Sequence, residues 1–294
     1  MKEKLKHIYE HHYKKLMLIP FLLVVLALVQ IGTQYALTGD FIHRGVSLNG
    51  GSTITFSSPS SISGLELEQF LREKFPKGDL SVRTLGAVGQ GTAFAIDSDA
   101  QEKEEVTSLL QAIQEKVPLQ KEAYSVEVFG SSLSETFFKQ LVLALLISFG
   151  LMGIVVMLYF RLLIPSLAVI AAAFSDIVVT LAIFNLTGMK LTTAGIAAFL
   201  MLIGYSVDTD VVLTTRVLKR HEGSVMENIY SSIKTGLTMT VTTLAAIIVA
   251  LIFVRSEVVQ QIMIILAIGL VMDTFMTWIQ NVGILRLYLE RKKS

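Results

Sequence analysis

The chain of 294 residues is 52% hydrophobic and only 17% charged, with a mean hydropathy of +0.62. This balance excludes an ordinary soluble domain of that length and predicts a polytopic membrane protein. A formal net charge of +1 provides no basic field for nucleic acid, and the absence of cysteine excludes disulfides and cysteine-based metal sites. No metal ion or organic cofactor is indicated.

A basic leader, residues 1–15, precedes the first apolar run. It carries five lysines, and the histidines mixed among them (His7, His11 and His12) are interpreted as a solvated surface rather than a metal site. Residues 16–37 form the first predicted span. This run is too long for a signal-peptide core and lacks a small-residue cleavage pattern, so we expect it to be retained. The basic flank predicts a cytoplasmic N-terminus.

Residues 38–137 are charged and periodic, which is typical of a soluble domain inserted between two spans. Alternating and amphipathic stretches follow one another as strand, helix, strand, strand, helix, strand. This order predicts an α+β domain of the ferredoxin-like (βαββαβ) type. After the first strand, which follows Gly50-Gly51, the stretches are Gly64–Phe75, Leu80–Leu85, Thr92–Ile96, Glu102–Val117 and Tyr124–Phe129.

A glycine motif opens this domain, with Gly45 at its start and Gly50-Gly51 at its end. A phosphate-binding loop runs from a strand into a helix, whereas Gly50-Gly51 runs directly into a strand. We therefore interpret the pair as a backbone turn that packs closely against its neighbours.

Five more spans are predicted within residues 138–287, followed by a C-terminal tail at 288–294. Basic residues cluster at both termini and in the polar stretch Arg216–Lys234, which is predicted to form an amphipathic interfacial helix. This distribution places both termini in the cytoplasm and the 38–137 domain outside. The spans are expected at about Phe138–Phe160, Leu162–Leu186, from Leu191, Thr235–Val254 and Val258–Leu287.

Aspartates in or beside these spans are the candidate functional residues, because a charged side chain at that depth costs about 2.5–3.5 kcal/mol. Asp176, Asp208 and Asp273 belong to three spans and have similar depths, so they would form one polar cluster if their faces meet. Carboxyl groups in a low-dielectric site can alternate between protonated and ionised forms, as a proton relay requires. Alternatively, each holds the bundle together by hydrogen bonding.

Asp208 and Asp210 cannot share one neighbour, because residues two apart on a helix point about 200° away from each other. We expect Asp208 to be the working residue, since Gly204 lies one turn away on the same face and permits close backbone approach. Asp210 is the fourth proton-relay candidate, and the alternative favoured for it is a position just beyond the lipid, paired with Arg216. Arg216 and Lys234 are the predicted cation partners, reaching inward along their aliphatic stems.

Several motifs resemble those of the SecF family, which contributes a subunit to the Sec protein-export accessory complex. The Gly204-Tyr205-Ser206-Val207-Asp208 motif is the most specific of them. The arrangement of one span, one external domain and five further spans agrees with this resemblance. The other motifs are Gly45-Val46-Ser47-Leu48-Asn49-Gly50-Gly51, Gly130-Ser131-Ser132-Leu133-Ser134 and the archaeal-type Lys234-Thr235-Gly236-Leu237-Thr238-Met239-Thr240.

The resemblance implies one half of a larger transporter fold of the RND superfamily, located in the cell membrane among its lipids. It implies that the chain pairs with SecD and assists the SecY channel by acting on unfolded exported polypeptide. Proton motive force is the implied energy source.

Two positions depart from the pattern of the bacterial members. Their fourth-span motif reads Gly-Tyr-Ser-Ile-Asn-Asp-Thr, which places the acid where this chain has Thr209, while Asp208 matches the acid of the SecD version. The family's fifth-span arginine falls near Thr235, with Lys234 beside it. The resemblance therefore leaves open which residues couple protons in this branch.

Two other functions are weighed against this one. A self-contained proton-coupled exporter of small molecules or lipids would need a second six-span unit, and since the sequence has no internal repeat it would have to be a homo-oligomer. An intramembrane aspartyl protease would use Asp176 and Asp208. Because Asp176 follows Ser175 rather than tyrosine, and Asp208 does not complete a Gly-x-Gly-Asp motif, no enzyme is predicted.

Overall fold

The computed structural model describes residues 7, 9–58, 62–76, 78–85, 92–117, 124–219, 223–254 and 256–293. Long helices make up most of it, and a four-stranded sheet is inserted after the first of them. The strands are β1 (Gly51–Ser58), β2 (Leu80–Leu85), β3 (Thr92–Ser98) and β4 (Tyr124–Phe129). The helices are α1 (Tyr13–Leu16), α2 (Leu18–Thr38), α3 (Val46–Asn49), α4 (Gly64–Lys74), α5 (Lys103–Lys116), α6 (Ser131–Phe160), α7 (Leu163–Leu186), α8 (Thr193–Lys219), α9 (Val225–Phe253), α10 (Glu257–Phe275) and α11 (Val282–Lys293), with a π-helical segment (Met276–Asn281) between the last two.

Six helical stretches in the described part of the chain are long and apolar enough to cross a membrane. The shortest has 24 residues and, at about 1.5 Å per residue, exceeds the roughly 30 Å of bilayer hydrocarbon. The protein is therefore a multi-pass membrane protein. The stretches are Tyr13–Thr38, Ser131–Phe160, Leu163–Leu186, Thr193–Lys219, Val225–Phe253 and Val258–Lys292.

The spans differ in how much of their surface lies inside the protein. The apolar part of α7 is 61% buried and that of α8 is 50% buried, whereas that of α6 is only 6% buried. Helices α7, α8 and α10 pack against one another, and α2, α6 and α9 flank them. Ala172 and Ala173 of α7 are fully buried, because small side chains let neighbouring helices approach closely.

The polar stretch after the fourth span differs from the prediction. No separate interfacial helix occurs among the described residues of the stretch Arg216–Lys234, where one was expected. The start of this stretch belongs to the end of α8, and the described residues from Val225 onward belong to α9. Ser224 caps α9, because its hydroxyl accepts from the Glu227 N–H while the Glu227 carboxylate accepts from the Ser224 N–H. This capping box starts one continuous helix of 29 residues. The Ile229 side chain packs inside the bundle.

The four strands are antiparallel to their neighbours in the order β2–β3–β1–β4. Helices α4 and α5 cover one face, where Ile54, Phe56, Phe94 and Ile96 are buried. The other face is polar, because successive side chains of a strand point to opposite sides. The elements follow the predicted chain order, and the one-turn helix α3 is an addition.

Gly50 and Gly51 turn the chain from α3 into β1 with φ values of 92° and 130°. A Cβ atom on Gly51 would collide with the carbonyl oxygen of Ser98, and one on Gly50 would lie 2.6 Å from the Cα of Ser131. A residue with a side chain would be strained at either position, because φ is positive and because its Cβ atom would overlap neighbouring atoms. The pair forms a closely packed turn, as its position before a strand predicts.

The sheet domain, residues 45–129, rests on one end of the helix bundle. Gly45 at its start donates its N–H to the Leu191 carbonyl at 2.7 Å, and the Leu191 N–H donates to the His43 carbonyl at 2.7 Å. Leu191 belongs to the turn between α7 and α8. Residues near the two chain termini contact each other at the other end of the bundle, where Arg286 binds the carbonyl of Tyr9.

Candidate functional site

Buried polar side chains of the bundle collect around three aspartates. Asp176 on α7, Asp210 on α8 and Asp273 on α10 each have no exposed surface. The three central helices thus contribute one carboxyl group each. The same spans also carry other buried hydroxyl and amide side chains, namely Ser175, Thr180, Ser206, Thr209, Thr214, Thr277, Gln280 and Asn281.

Asp176 and Asp273 lie within hydrogen-bonding reach of each other. The hydroxyl of Ser206 donates to Oδ2 of Asp176, and the hydroxyl of Thr277 donates to Oδ1 of Asp273 at 3.0 Å. The remaining oxygens, Oδ1 of Asp176 and Oδ2 of Asp273, have no donor within the described structure. A carboxylate only accepts, so the contact between the pair becomes a hydrogen bond when one of them carries a proton.

Asp210 is held by the sixth span. Nδ2 of Asn281 donates to Oδ1 of Asp210 at 2.7 Å, and Asp210 also interacts electrostatically with Asp273. Oδ2 of Asp210 and Oδ1 of Asn281 are buried without a partner in the described part of the protein. Asp210 therefore has one carboxyl oxygen in a hydrogen bond with Asn281 and a second oxygen that is free to bind a proton.

The π segment presents these donors to the aspartates. Its last turn is wider than an α-turn, since the N–H of Val282 donates to the carbonyls of Thr277 and Ile279. Thr277 and Asn281 contact the aspartates, and Nε2 of Gln280 donates to the hydroxyl of Ser175 at 3.1 Å. Sequence analysis missed these residues, although they follow Asp273 at helical spacing in an otherwise apolar span. That polar spacing was the available signal.

Asp208 is not part of the cluster, which corrects the preference for it over Asp210. Its side chain is exposed, because the rotation of α8 turns Ser206 and Asp210 inward and Asp208 outward. The close approach expected at Gly204 is also wrong for this chain, since a Cβ atom there would meet nothing within 4 Å. Of the Gly204-Tyr205-Ser206 motif only Ser206 is buried.

Neither predicted cation reaches the aspartates. Nη1 of Arg216 donates to the Ser231 carbonyl at 2.8 Å and to the Thr235 hydroxyl at 2.9 Å, which joins α8 to α9. Lys234 is exposed. No lysine, arginine or histidine is buried among the residues described, so the three carboxyl groups have no side-chain counter-charge. No metal-binding group of three or more His, Asp or Glu occurs there either.

A cleft of about 840 Å³ separates the polar face of the sheet from the end of the bundle. Three ion pairs join charged groups of its lining, namely Arg83–Asp97 at 2.8 Å, Lys190–Asp79 at 2.6 Å and Arg72–Glu68 at 2.9 Å, and Glu127 adds one further acid. The lining is thus nearly neutral and combines polar side chains with apolar ones such as Val46, Phe129 and Met189. Two distant parts of the chain form this cleft, so no local sequence pattern predicted it. Other lining residues include Thr53, Thr55, Ser81, Glu127, Thr193 and Gln261.

Comparison with known proteins identifies the family. A profile described as "Protein export membrane protein SecD/SecF, C-terminal" matches residues 109–291. The protein-export membrane protein SecF of Pyrococcus furiosus is 39% identical over 294 residues, which is 100% of this chain and 97% of that protein. The chain belongs to the SecF family.

Other SecF relatives and a solved structure agree. SecF of Methanothermobacter thermautotrophicus is 36% identical over 283 residues, covering 95% of this chain and 93% of that protein. The crystal structure of SecDF, a translocon-associated membrane protein from Thermus thermophilus, matches with a TM-score of 0.77 at 20% identity and shows the same fold. The match covers 95% of this chain but only 38% of the SecDF chain.

Proposed function

We propose that this chain is the SecF-type subunit of a protein-export complex, which pairs with SecD and assists translocation through the SecY channel. SecF membership carries the proposal, because the resemblance to the curated SecF proteins extends over the whole chain. The larger SecDF chain, of which this fold matches 38%, supports a second unit beside it. No observation favours a self-contained exporter.

The outward face of α8 supports pairing with another membrane subunit. Met201, Gly204, Tyr205 and Asp208 form one stripe at helical spacing, and they are exposed. Asp208 lies in a membrane span, where facing hydrocarbon would cost about 2.5–3.5 kcal/mol. A partner helix with a hydrogen-bond donor at that depth removes this cost, and the open space at Gly204 lets its backbone approach.

The decisive experiment is purification of the tagged chain from its native membrane, with identification of the proteins that accompany it. We expect SecD to co-purify with the wild type and with Asp208→Asn, which keeps a hydrogen-bonding group. Asp208→Leu should lose SecD while keeping the fold of the chain. Recovery of a homo-oligomer without Sec proteins would overturn the proposal in favour of the self-contained exporter.

We further propose that the sheet domain is ferredoxin-like and lies outside the cytoplasm. The split βαβ order of its strands supports the first assignment. The basic residues at both termini support the second, because short cytoplasmic segments retain positive charge. The proposed boundaries are 16–37 for the first span, 38–137 for the external domain and 138–287 for the other spans.

Proton coupling is proposed at Asp176, Asp210 and Asp273 rather than at Asp208. The support is the absence of a buried basic side chain among the described residues, together with a buried carboxyl oxygen on each aspartate that lacks a donor. One proton shared by Asp176 and Asp273 would turn the contact between their carboxyl groups into a hydrogen bond. Its transfer to or from Asp210 would change the hydrogen bonds that join three spans.

We propose the cleft beneath the sheet as the surface that contacts unfolded exported polypeptide. Its volume of about 840 Å³ is within the range of roughly 300–1,000 Å³ that is typical of ligand sites. Its nearly neutral lining combines apolar side chains with hydroxyl and amide groups, which suits an unfolded polypeptide, because such a chain exposes apolar side chains and an uncharged backbone rich in hydrogen-bonding groups.

A further inference from the structure

The segment before the first span is bound to the sixth span by backbone contacts. The hydroxyl of Tyr9 donates to the carbonyl of Trp278 at 2.7 Å. The guanidinium of Arg286 donates to the carbonyls of Tyr9 and Glu10 at 3.0 and 2.8 Å. The ring of Tyr9 packs in the apolar cluster that contains Trp278. These contacts define the path of the N-terminal segment across the bundle end.

A second set of contacts extends this attachment towards the first span. The hydroxyl of Tyr13 donates to Oε2 of Glu290 at 2.6 Å, and the guanidinium carbon of Arg286 lies 3.9 Å from the centre of the Tyr13 ring. Met17 packs so closely on α11 that a Cβ atom at Gly283 would collide with it. We call residues Tyr9–Tyr13 the N-terminal clasp.

The carbonyl that Tyr9 binds has lost its α-helical partner. In an α-helix the N–H of Val282 would donate to the carbonyl of Trp278. Here it donates to the carbonyls of Thr277 and Ile279, as the π segment requires. A backbone carbonyl in a membrane protein needs an internal donor, and Tyr9 provides one. Burial raises the pKa of Tyr9 above its ordinary value, so its hydroxyl keeps the proton that it donates.

The same π segment sets the geometry of the aspartate cluster. Thr277 and Asn281 bind Asp273 and Asp210 from positions that flank Trp278. A π-turn contains one residue more than an α-turn. If it relaxed to an α-turn, the residues after Trp278 would shift by one position and rotate about the helix axis by about 100°. Asn281 would then turn away from Asp210.

We propose that Tyr9 is a positioning residue for the aspartate cluster, holding the π segment in the register that places Asn281 on Asp210. The N-terminal clasp acts through the Trp278 carbonyl, not by touching an aspartate. The claim that Tyr9 fixes the position of the π segment depends only on the contacts described above. The expected effect on export also rests on the proposed function.

The hydrogen bond between Tyr9 and the Trp278 carbonyl can be tested directly, because Trp278 is the single tryptophan of the sequence and its carbonyl can be labelled selectively. Tryptophan labelled with ¹³C at its carbonyl would be incorporated into the full chain, reconstituted in lipid bilayers and measured by isotope-edited infrared spectroscopy. Tyr9→Phe should move the Trp278 carbonyl band to higher frequency, because a hydrogen bond is lost. Tyr13→Phe is the matched control and should leave the band in place, since its hydroxyl binds only the Glu290 side chain among the described residues.

Arg286→Lys provides a second variant in case Tyr9→Phe does not fold. It keeps the charge but loses the paired donation to Tyr9 and Glu10, and it should move the same band in the same direction by a smaller amount. An unmoved carbonyl band in folded Tyr9→Phe, or an equal shift in Tyr13→Phe, overturns the proposal.

A double-mutant cycle on export then tests the positioning role. If Tyr9 acts through Asn281, Tyr9→Phe should reduce export in the wild-type background and have no further effect in Asn281→Ala. Additive losses would overturn the positioning role, because they would show that the two residues act separately. Failure of the proposed function would be visible independently, as a wild-type chain that does not co-purify with SecD.

Discussion

Each buried aspartate in this bundle depends on particular donors, and most of those donors follow Asp273 on the sixth span. Asn281 is the donor to Asp210 at 2.7 Å, and Thr277 is the donor to Asp273 at 3.0 Å. Ser206 supplies the bond to Asp176 from the fourth span. Amide and hydroxyl side chains therefore form one hydrogen-bonded network with the aspartates.

Asn281→Ala should lower the free energy of unfolding by about 1–3 kcal/mol, because it leaves a buried carboxyl oxygen without its donor. Fluorescence of the single tryptophan during denaturation in mixed micelles would measure the change. Thr238→Ala is the control, since its exposed hydroxyl bonds only within α9 in the described structure, and less than about 0.5 kcal/mol is expected. Equal losses would contradict the assigned role of Asn281.

Asp210→Asn should abolish the dependence of export on the proton gradient, whereas Asp208→Asn should retain it. The reason is that Asp210 is buried with the other two carboxyl groups and Asp208 is exposed. The measurement is export into inverted vesicles with and without an uncoupler. Loss of proton dependence in Asp208→Asn alone would restore Asp208 as the relay residue.

At the scale of the helices, glycines on α8 and α9 have opposite environments. A Cβ atom on Gly236 of α9 would collide with the ring of Trp278, so this glycine allows α9 to approach the sixth span. A Cβ atom on Gly204 of α8 would meet nothing within 4 Å. One glycine therefore serves packing within the chain, and the other leaves space for a partner.

Gly236→Ala should destabilise the isolated chain by about 1–3 kcal/mol through overpacking. Gly204→Ala should stabilise it slightly, by up to about 1 kcal/mol, because alanine favours the helix, and yet weaken its association with SecD. Denaturation of the purified chain and co-purification with SecD measure the two effects separately. Unchanged association in Gly204→Ala would argue against the α8 stripe as the pairing surface.

The whole molecule has two separate regions to which we assign the proposed roles, the aspartate cluster within the bundle and the cleft beneath the sheet. The turn between α7 and α8 contributes Leu191 to domain docking and Lys190 to the cleft. Helix α8 then leads from this turn to Asp210. Helix α8 therefore belongs to both regions and connects them within one rigid element.

A photo-crosslinking residue at Thr55, inside the cleft, should form an adduct with a polypeptide that is being exported. The same residue at Glu104 is the control, since that position is exposed on α5, which covers the opposite face of the sheet. Adducts would be identified by mass after arrest of export. Equal labelling at both positions would show that the cleft is not the specific contact surface.

The sequence by itself determined the number of spans, the order of strands and helices in the sheet domain, and the close turn at Gly50-Gly51. These features depend on local patterns, namely apolar length, side-chain periodicity and glycine conformation. The SecF motifs likewise identified the family from residues close together in the chain.

Only the tertiary structure decided which aspartates meet. Asp208 and Asp210 point to nearly opposite faces of α8, so the rotation of the helix decides which of them enters the bundle, and neighbouring helices determine that rotation. The π segment is equally non-local, because contacts from Tyr9 and Asp210 accompany its changed hydrogen bonding. The cleft needs both the sheet and the bundle end. Each depends on contacts between residues far apart in sequence, which no local pattern records.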